Sequence, residues 1–203
     1  MKKLVMLLCM AVCSAALFAQ TGLFSVGGGA ILVPSFQTEK FKDGGDDQKR
    51  SGFGGGLNLF FDATYAEVNI NLLFANEKGE DADKGYNTTD LVLGVVGKYP
   101  FALGEKLSVF PFIGIDYRIV LGASYDGTKL EDGDGFKKAD MFNALSVLFG
   151  AGVDYNITGS LYVRGELGFG ITFNTKLEDD KKDYIDSNFK GKIPIKIAVG
   201  YRF

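Results

Sequence analysis

The chain has 203 residues and a formal net charge of −3 at pH 7; it contains 28 Gly, 18 Phe and 9 Tyr but no His and no Trp. This length corresponds to one domain, and short alternating apolar runs rich in Gly and aromatic residues favour an all-β protein. The acidic balance argues against a nucleic-acid partner, since that binding rests on clustered cations. Because the sequence lacks His, the usual general base is missing, so no enzymatic activity is predicted.

The N-terminus has the features of a cleaved export signal. Lys2 and Lys3 precede an apolar run at Leu4–Cys13, and small residues then lead to a cleavage site near Ala19. A membrane anchor is the weaker interpretation, because the run is shorter than the ~20 residues that a spanning helix needs. Residues 1–19 are therefore expected to be a signal peptide that takes both cysteines of the chain with it, leaving a mature charge near −5.

Eight segments with period-two alternation follow, and each predicts a β-strand with its apolar residues on one face. In chain order the predicted strands are 22–36, 51–61, 65–75, 88–99, 107–121, 141–155, 160–174 and 192–203. The linkers alternate between long charged loops and short turns. The loops are 37–50, 76–87, 122–140 and 175–191, and the turns are 62–64, 100–106 and 156–159.

The last strand shows the alternation most clearly. It places Ile193, Ile195, Ile197, Val199, Tyr201 and Phe203 on one face. Lys192, Lys196 and Arg202 share the other face with small residues and Pro194. An apolar outer face, a polar inner face and an aromatic residue at the membrane edge are what a transmembrane β-barrel requires.

An even number of strands, each near or above the ~10 residues that cross a bilayer at a tilt, supports the same architecture. Closure into a barrel would satisfy every backbone N–H and C=O within the hydrocarbon. We therefore predict that residues 20–203 form an eight-stranded antiparallel up-and-down transmembrane β-barrel in the outer membrane. Short turns and both termini would face the periplasm, and four long loops would be extracellular.

A secreted, lipocalin-like binding barrel is the competing architecture, with the same alternation turned inside out. The charges on the opposite face of the strands, interspersed with glycines, argue against it. Nine of these charged residues are expected to form a salt-bridge network in a narrow lumen that side chains fill. They are Glu67, Asp90, Lys98, Asp116, Arg118, Arg164, Glu166, Lys196 and Arg202. An ion-lined path is the alternative role of the same residues.

Two further patterns are candidate ligand sites. Loop acids offer oxygen ligands that suit Ca²⁺ or Mg²⁺, although interleaved lysines favour solvated loops instead. These acids are Glu131, Asp132, Asp134, Asp140, Glu178, Asp179, Asp180 and Asp183. The runs Gly27–Gly29 and Gly54–Gly56 lack the Lys and helix of a phosphate loop, so they are expected to relieve crowding inside the barrel. No metal or cofactor is predicted.

These features together resemble the small outer-membrane β-barrel proteins of diderm bacteria, the group that includes the OmpX, OmpA-barrel and OmpW types. The terminal Ile197, Val199, Tyr201 and Phe203 are similar to the signal that the barrel assembly machinery reads in such proteins. The resemblance implies contact with outer-membrane lipid and with lipopolysaccharide or another surface glycolipid. Long exposed loops favour a structural or surface-interaction role, including an extracellular protein partner. Resemblance to the OmpW type implies the alternative, a narrow channel or side-opening conduit for small apolar solutes.

Overall fold

The computed structural model describes residues 24–41, 48–80, 82, 84–133, 137–174 and 185–203, so the predicted signal peptide lies outside it. Within these residues it contains eleven strands and one short helix. They are β1 (Ser25–Phe41), β2 (Gln48–Asp62), β3 (Ala66–Gly79), β4 (Gly85–Lys98), β5 (Phe101–Ala102), β6 (Leu107–Tyr125), β7 (Thr128–Lys129), α1 (Lys138–Phe142), β8 (Ala144–Asn156), β9 (Leu161–Asn174), β10 (Ile185–Lys192) and β11 (Ile195–Arg202).

The long strands form a closed antiparallel barrel. Neighbouring strands pair in the order β1, β2, β3, β4, β6, β8 and β9, and β10 with β11 completes the ring between β9 and β1. The pairs Leu32↔Ile195 and Ser35↔Lys192 lie in one continuous register, so β10 and β11 are two halves of an eighth strand. The predicted eight-stranded up-and-down barrel is confirmed.

Two prolines explain the break between β10 and β11. The Ile193 amide donates to the Pro34 carbonyl at 2.8 Å, and the Gly168 amide donates to the Pro194 carbonyl at 2.9 Å. Neither proline has an N–H to return a hydrogen bond to its partner. The eighth strand is therefore continuous in register but makes only one hydrogen bond of each ladder pair at this point.

The two faces of the barrel wall differ sharply in polarity. Outward-facing Leu57, Ile113 and Ile197 are 64–65% exposed, whereas inward-facing Glu67 and Arg164 are 1% and 2% exposed. A water-soluble calyx would show the opposite arrangement, so the lipocalin-like alternative is wrong. Among the described residues, the structure contains no helix with the length and apolar character needed to cross a membrane.

The strands extend further toward the loops than the sequence pattern predicts. The ladder between β1 and β2 continues to Glu39↔Gln48, and the ladder between β3 and β4 continues to Lys78↔Gly85. The apolar alternation stops before these ends because their side chains are polar. Backbone pairing does not require apolar residues, so the ladders continue. At the opposite end, aromatic rings group at the turns, with centroids 5.9 Å apart for Tyr65–Tyr99 and 5.4 Å for Tyr201–Phe203.

The described part of the third loop contains regular secondary structure. Strand β7 pairs with the end of β6 through Ser124↔Lys129, and helix α1 occupies the start of the segment predicted as the sixth strand, which begins instead at Ala144. Phe142 of α1 is buried and packs edge-on against Tyr86, with centroids 5.6 Å apart. This burial anchors the loop to the barrel rim.

Candidate functional site

Five charged side chains meet across the lumen near the short turns. This turn-side cluster consists of Asp62, Glu67, Lys98, Asp154 and Arg164, which belong to five different strands. Each occupies an inward position in the alternation of its strand, so the strand period aims all five at the barrel axis. Every one of these side chains is 9% or less exposed.

Arg164 is the centre of the turn-side cluster. Its Nε lies 2.7 Å from Asp154 Oδ1, its Nη2 lies 2.7 Å from Asp62 Oδ2, and its Nη1 donates to Glu67 Oε2. Strands β9 and β3, which carry Arg164 and Glu67, lie on opposite sides of the eight-membered ring. This one guanidinium therefore bridges the whole lumen.

Lysines satisfy the carboxylates that Arg164 does not saturate. Lys98 Nζ lies 2.5 Å from Asp62 Oδ2 and 3.3 Å from Glu67 Oε2. Lys196 Nζ lies 2.9 Å from Glu166 Oε2 and 4.0 Å from Glu67 Oε1. Buried charges are stable only when paired and hydrogen-bonded, and this arrangement meets that condition.

Aromatic rings fill the space around the guanidinium. The Arg164 Cζ atom lies 4.8 Å from the Phe60 ring centroid, 5.0 Å from that of Phe110 and 5.2 Å from that of Tyr162. All three rings are 5% exposed or less. A glycine faces each ring: a Cβ at Gly27, Gly152 or Gly200 would collide with Phe60, Phe110 or Tyr162, respectively. The glycines therefore leave room for rings that occlude this end of the lumen.

A second group of charges lies nearer the loops. This loop-side cluster consists of Glu77, Asp90, Asp116, Arg118, Lys190 and Lys192. Arg118 contacts Glu77 Oε1 at 2.8 Å and Asp90 Oδ2 at 2.9 Å, and Lys192 Nζ lies 2.7 Å from both Asp116 oxygens. The Arg118 side chain is 14% exposed against 3% for Arg164, so the loop-side cluster is less completely buried.

A cavity of about 80 Å³ extends through the loop-side part of the lumen. Apolar side chains cover part of its wall: Ile31, Leu73, Val92, Val96, Phe112 and Leu148. Asp90 Oδ1 is buried and has no hydrogen-bond partner among the described residues. A cavity of this size holds several water molecules, since one water needs roughly 10–15 Å³.

The nine charges named from the sequence lie in separate groups. Glu67, Lys98 and Arg164 belong to the turn-side cluster, and Glu166 and Lys196 adjoin it. Asp90, Asp116 and Arg118 belong to the loop-side cluster. Arg202 contacts the Tyr162 ring at 5.0 Å and Asn156 Oδ1 at 3.4 Å, with no acidic partner among the described residues.

The network predicted from the sequence omits five members of these clusters, although Lys192 is predicted on the inner face of the last strand. They are Asp62, Glu77, Asp154, Lys190 and Lys192. The sequence pattern places Asp62 in a turn, and Glu77 and Lys190 in loops, because the predicted strands are too short at these ends. Asp154 alternates with outward Val153 and Tyr155, so a strict application of the strand period would have found it.

The predicted assembly residues lie on the outer wall. Ile197, Val199, Tyr201 and Phe203 are 48–65% exposed, on or directly after β11. Of the loop acids, Glu131 pairs with Lys129 at 3.6 Å and Asp132 with Lys138 at 3.9 Å. Asp134 and the four acids of the fourth loop lie outside the described residues. Within the described part of the chain, no group of three or more acids could hold a metal ion.

A sequence profile described as the outer membrane protein beta-barrel domain matches residues 5–203. The chain belongs to this family. Membership of this family places the chain at the outer membrane. No curated protein matches the chain in sequence.

Solved structures of outer-membrane proteins are similar to this chain at low sequence identity. Neisserial surface protein A is 11% identical, with a TM-score of 0.52 covering 90% of this chain and 98% of that one, and it shows the same fold. OprG from Pseudomonas aeruginosa is 14% identical, with a TM-score of 0.47 over 89% and 95%. A major outer membrane protein from Thermus thermophilus is 15% identical, with a TM-score of 0.45 over 86% and 99%.

Proposed function

We propose that this outer-membrane barrel has a structural or surface-interaction role and that its lumen does not conduct. The turn-side cluster carries the proposal. Its five charged side chains come from five strands, contact one another across the lumen and are 9% or less exposed. Eight strands leave an interior that side chains can fill, and here paired charges and aromatic rings occupy it.

Opening a path through the turn-side cluster would separate buried ion pairs. An unpaired charge in this environment is strongly unfavourable, since it loses its partner without regaining full hydration. The cluster is therefore a permanent obstruction in this account, and no catalytic role is assigned to its residues. Any surface partner would then bind at the loop end of the barrel.

Solute flux into liposomes tests the closed lumen. Liposomes that contain refolded protein, verified by heat-dependent gel mobility, are transferred into solutions of small sugars or salts, and swelling is followed by light scattering. We expect liposomes that contain the unaltered protein to swell at the same rate as protein-free liposomes. A double variant, Arg164→Ala with Glu67→Ala, should swell faster because it removes the bridge across the lumen. Rapid swelling with the unaltered protein would refute the proposal.

A conduit for small apolar solutes is the second candidate function. The apolar wall of the lumen cavity, including Leu73, Val92 and Leu148, favours it. Its volume of about 80 Å³ is small against the roughly 300–1,000 Å³ of ordinary ligand sites, which weakens this candidate. Liposomes that resist sugars but take up a small hydrocarbon faster than protein-free liposomes would favour the conduit.

We propose that the loops face outward and that both termini lie in the periplasm. Short turns on one side and longer loops on the other support this orientation, as in other outer-membrane barrels. Outward loops also place the ordered third loop where an extracellular partner would meet it.

Single cysteines test the orientation. Lys129→Cys lies on an exposed position of the third loop, and Gly159→Cys lies in an exposed turn with no atom near its Cβ. The chain's own cysteines, Cys9 and Cys13, precede the predicted cleavage site. A membrane-impermeant maleimide on intact cells should label position 129 and should reach position 159 only after permeabilisation. The reverse pattern would overturn the orientation.

A further inference from the structure

A recess lies on the outer wall of the barrel, close to its loop end. Two outward-facing rungs across β2, β3, β4 and β6 form it. The upper rung is Phe53–Asn76–Asn87–Ser124, and the lower rung is Gly55–Phe74–Thr89–Gly122. The recess has a volume of about 440 Å³, within the roughly 300–1,000 Å³ typical of small-molecule sites.

Side-chain size explains the recess. Thr89, Gly122 and Ser124 are small, while Phe53 and Phe74 project from the wall and are 55% and 60% exposed. The ladder between β4 and β6 also shifts register beside Thr89. Such irregularities increase the local twist of a strand and redirect its side chains. The wall is therefore indented across β4 and β6, on one side of the two phenyl rings.

Polar groups of the recess have unused hydrogen-bonding capacity. Asn76 Nδ2 donates to Asn87 Oδ1 at 3.0 Å, and both side chains are exposed. Asn76 Oδ1 and Asn87 Nδ2 have no further partner among the described residues, so one acceptor and one donor face outward. Thr89 and Ser124 add hydroxyl-bearing side chains to the lining of the recess. Amides, hydroxyls and aromatic faces together match the alternating hydroxyl and C–H surface of a sugar.

The polarity of the outer wall changes from one rung to the next on either side of the recess. Toward the turns, the next rung is entirely apolar: Leu57–Leu72–Leu91–Ile119. Toward the loops, the next rung carries Lys78, which is exposed, and Asp126, whose carboxylate is paired with Lys84 at 2.6 Å. From the membrane interior outward, the surface thus changes from apolar to amide and hydroxyl and then to cationic. A phosphorylated glycolipid has the complementary order of acyl chain, sugar and phosphate.

We propose that the recess binds the saccharide headgroup of an outer-leaflet glycolipid. The acyl chains of the glycolipid lie on the apolar rung that ends at Ile119, its sugar contacts Asn76 and Asn87 beside the two phenyl rings, and its phosphate approaches Lys78. This inference rests on the proposed outward orientation of the loops, which puts the recess in the outer leaflet.

Filling the recess tests the proposal with a matched control. A Cβ at Gly122 would have no atom within 4 Å, so Gly122→Leu fills the recess without a backbone clash. Gly97, an outward glycine at the turn end of β4, has only ordinary contacts at 3.9 and 4.0 Å, so Gly97→Leu adds the same group elsewhere. The double variant Asn76→Leu with Asn87→Leu removes the amides instead and serves if Gly122→Leu fails to fold.

The assay uses nanodiscs of phosphatidylcholine doped with lipid A in both leaflets, so the result does not depend on orientation. Native mass spectrometry counts the lipid A retained by the released protein. We expect one retained molecule with the unaltered protein and Gly97→Leu, and at least tenfold lower occupancy with Gly122→Leu and the double variant.

Two results would overturn the inference. Equal lipid A retention by all four proteins would show that the recess is not the site. If phosphatidylglycerol were retained to the same extent as lipid A, any anionic lipid would suffice and no saccharide would be recognised. Neither result bears on the closed lumen, and cysteine labelling tests the orientation separately.

Discussion

Replacing Arg164 with Met isolates the contribution of the guanidinium at the centre of the lumen. Methionine keeps a long apolar side chain among the rings of Phe60, Phe110 and Tyr162 but cannot donate a hydrogen bond. The change therefore removes charge and hydrogen bonds with little change in packing.

The expected loss in free energy of unfolding depends on the carboxylates that lose Arg164 as a partner. Asp62 and Glu67 retain Lys98, at 2.5 and 3.3 Å. Asp154, 9% exposed, loses both of its 2.7 Å contacts and has no other partner among the described residues. Breaking a buried ion pair by removing one member typically costs about 3–5 kcal/mol, so we expect Arg164→Met to lower the free energy of unfolding by that amount.

Urea unfolding in lipid vesicles measures this loss, with circular dichroism and heat-dependent gel mobility as probes because the chain has no Trp. Adding Asp154→Asn to Arg164→Met should recover about 1–3 kcal/mol, because it removes the stranded charge. Lys49→Met is the control: its pair with Glu80 spans 3.8 Å and is 59% and 65% exposed. Exposed pairs contribute about 0–1 kcal/mol. If Arg164→Met lost as little stability as Lys49→Met, or if the double variant recovered none, Asp154 would not be a buried charge that depends on Arg164.

Three further predictions concern other parts of the barrel. Arg118→Met should destabilise by less than Arg164→Met in the same urea assay, because Glu77 keeps Lys190 at 3.8 Å and Asp90 keeps the Thr88 hydroxyl at 2.9 Å. Gly200→Leu should prevent formation of the heat-modifiable folded band, because a Cβ there collides with the Tyr162 ring. Replacing Tyr201 and Phe203 with Ser should lower the amount of protein in outer-membrane fractions, if the assembly machinery reads these outward residues.

Matched controls accompany the last two changes. Gly159→Leu adds the same side chain at a turn glycine with open space around it, and it should fold normally. Leu167→Ser alters an outward residue that is 59% exposed and lies away from the terminus, so it should leave outer-membrane levels near normal. An equal loss for Leu167→Ser and the terminal pair would point to general loss of lipid contact. Normal folding of Gly200→Leu would contradict the ring-filled lumen.

The two faces of the barrel wall could be predicted because alternation along a strand assigns each residue to one face. In β3, Glu67, Asn69 and Asn71 are buried and Val68 is exposed, as the period requires. The loop ends of the strands could not be predicted in this way, since their backbone pairing continues through polar sequence such as Glu39↔Gln48.

The arrangement of charges inside the lumen was less accessible to sequence reasoning. Alternation aims Arg164 and Glu67 inward but does not reveal that strands far apart in the chain face each other across a ring. Which acid meets which cation depends on the stagger of eight strands and on side-chain length. The pairing of Lys192 with Asp116, 76 residues apart, is set by that geometry.

Single-channel conductance in planar bilayers measures whether the turn-side cluster closes the lumen. We expect no channel openings with the folded, unaltered protein, and openings when Arg164 and Glu67 are both replaced by Ala. Reproducible openings with the unaltered protein at the same lipid composition and salt would contradict closure of the lumen by this cluster.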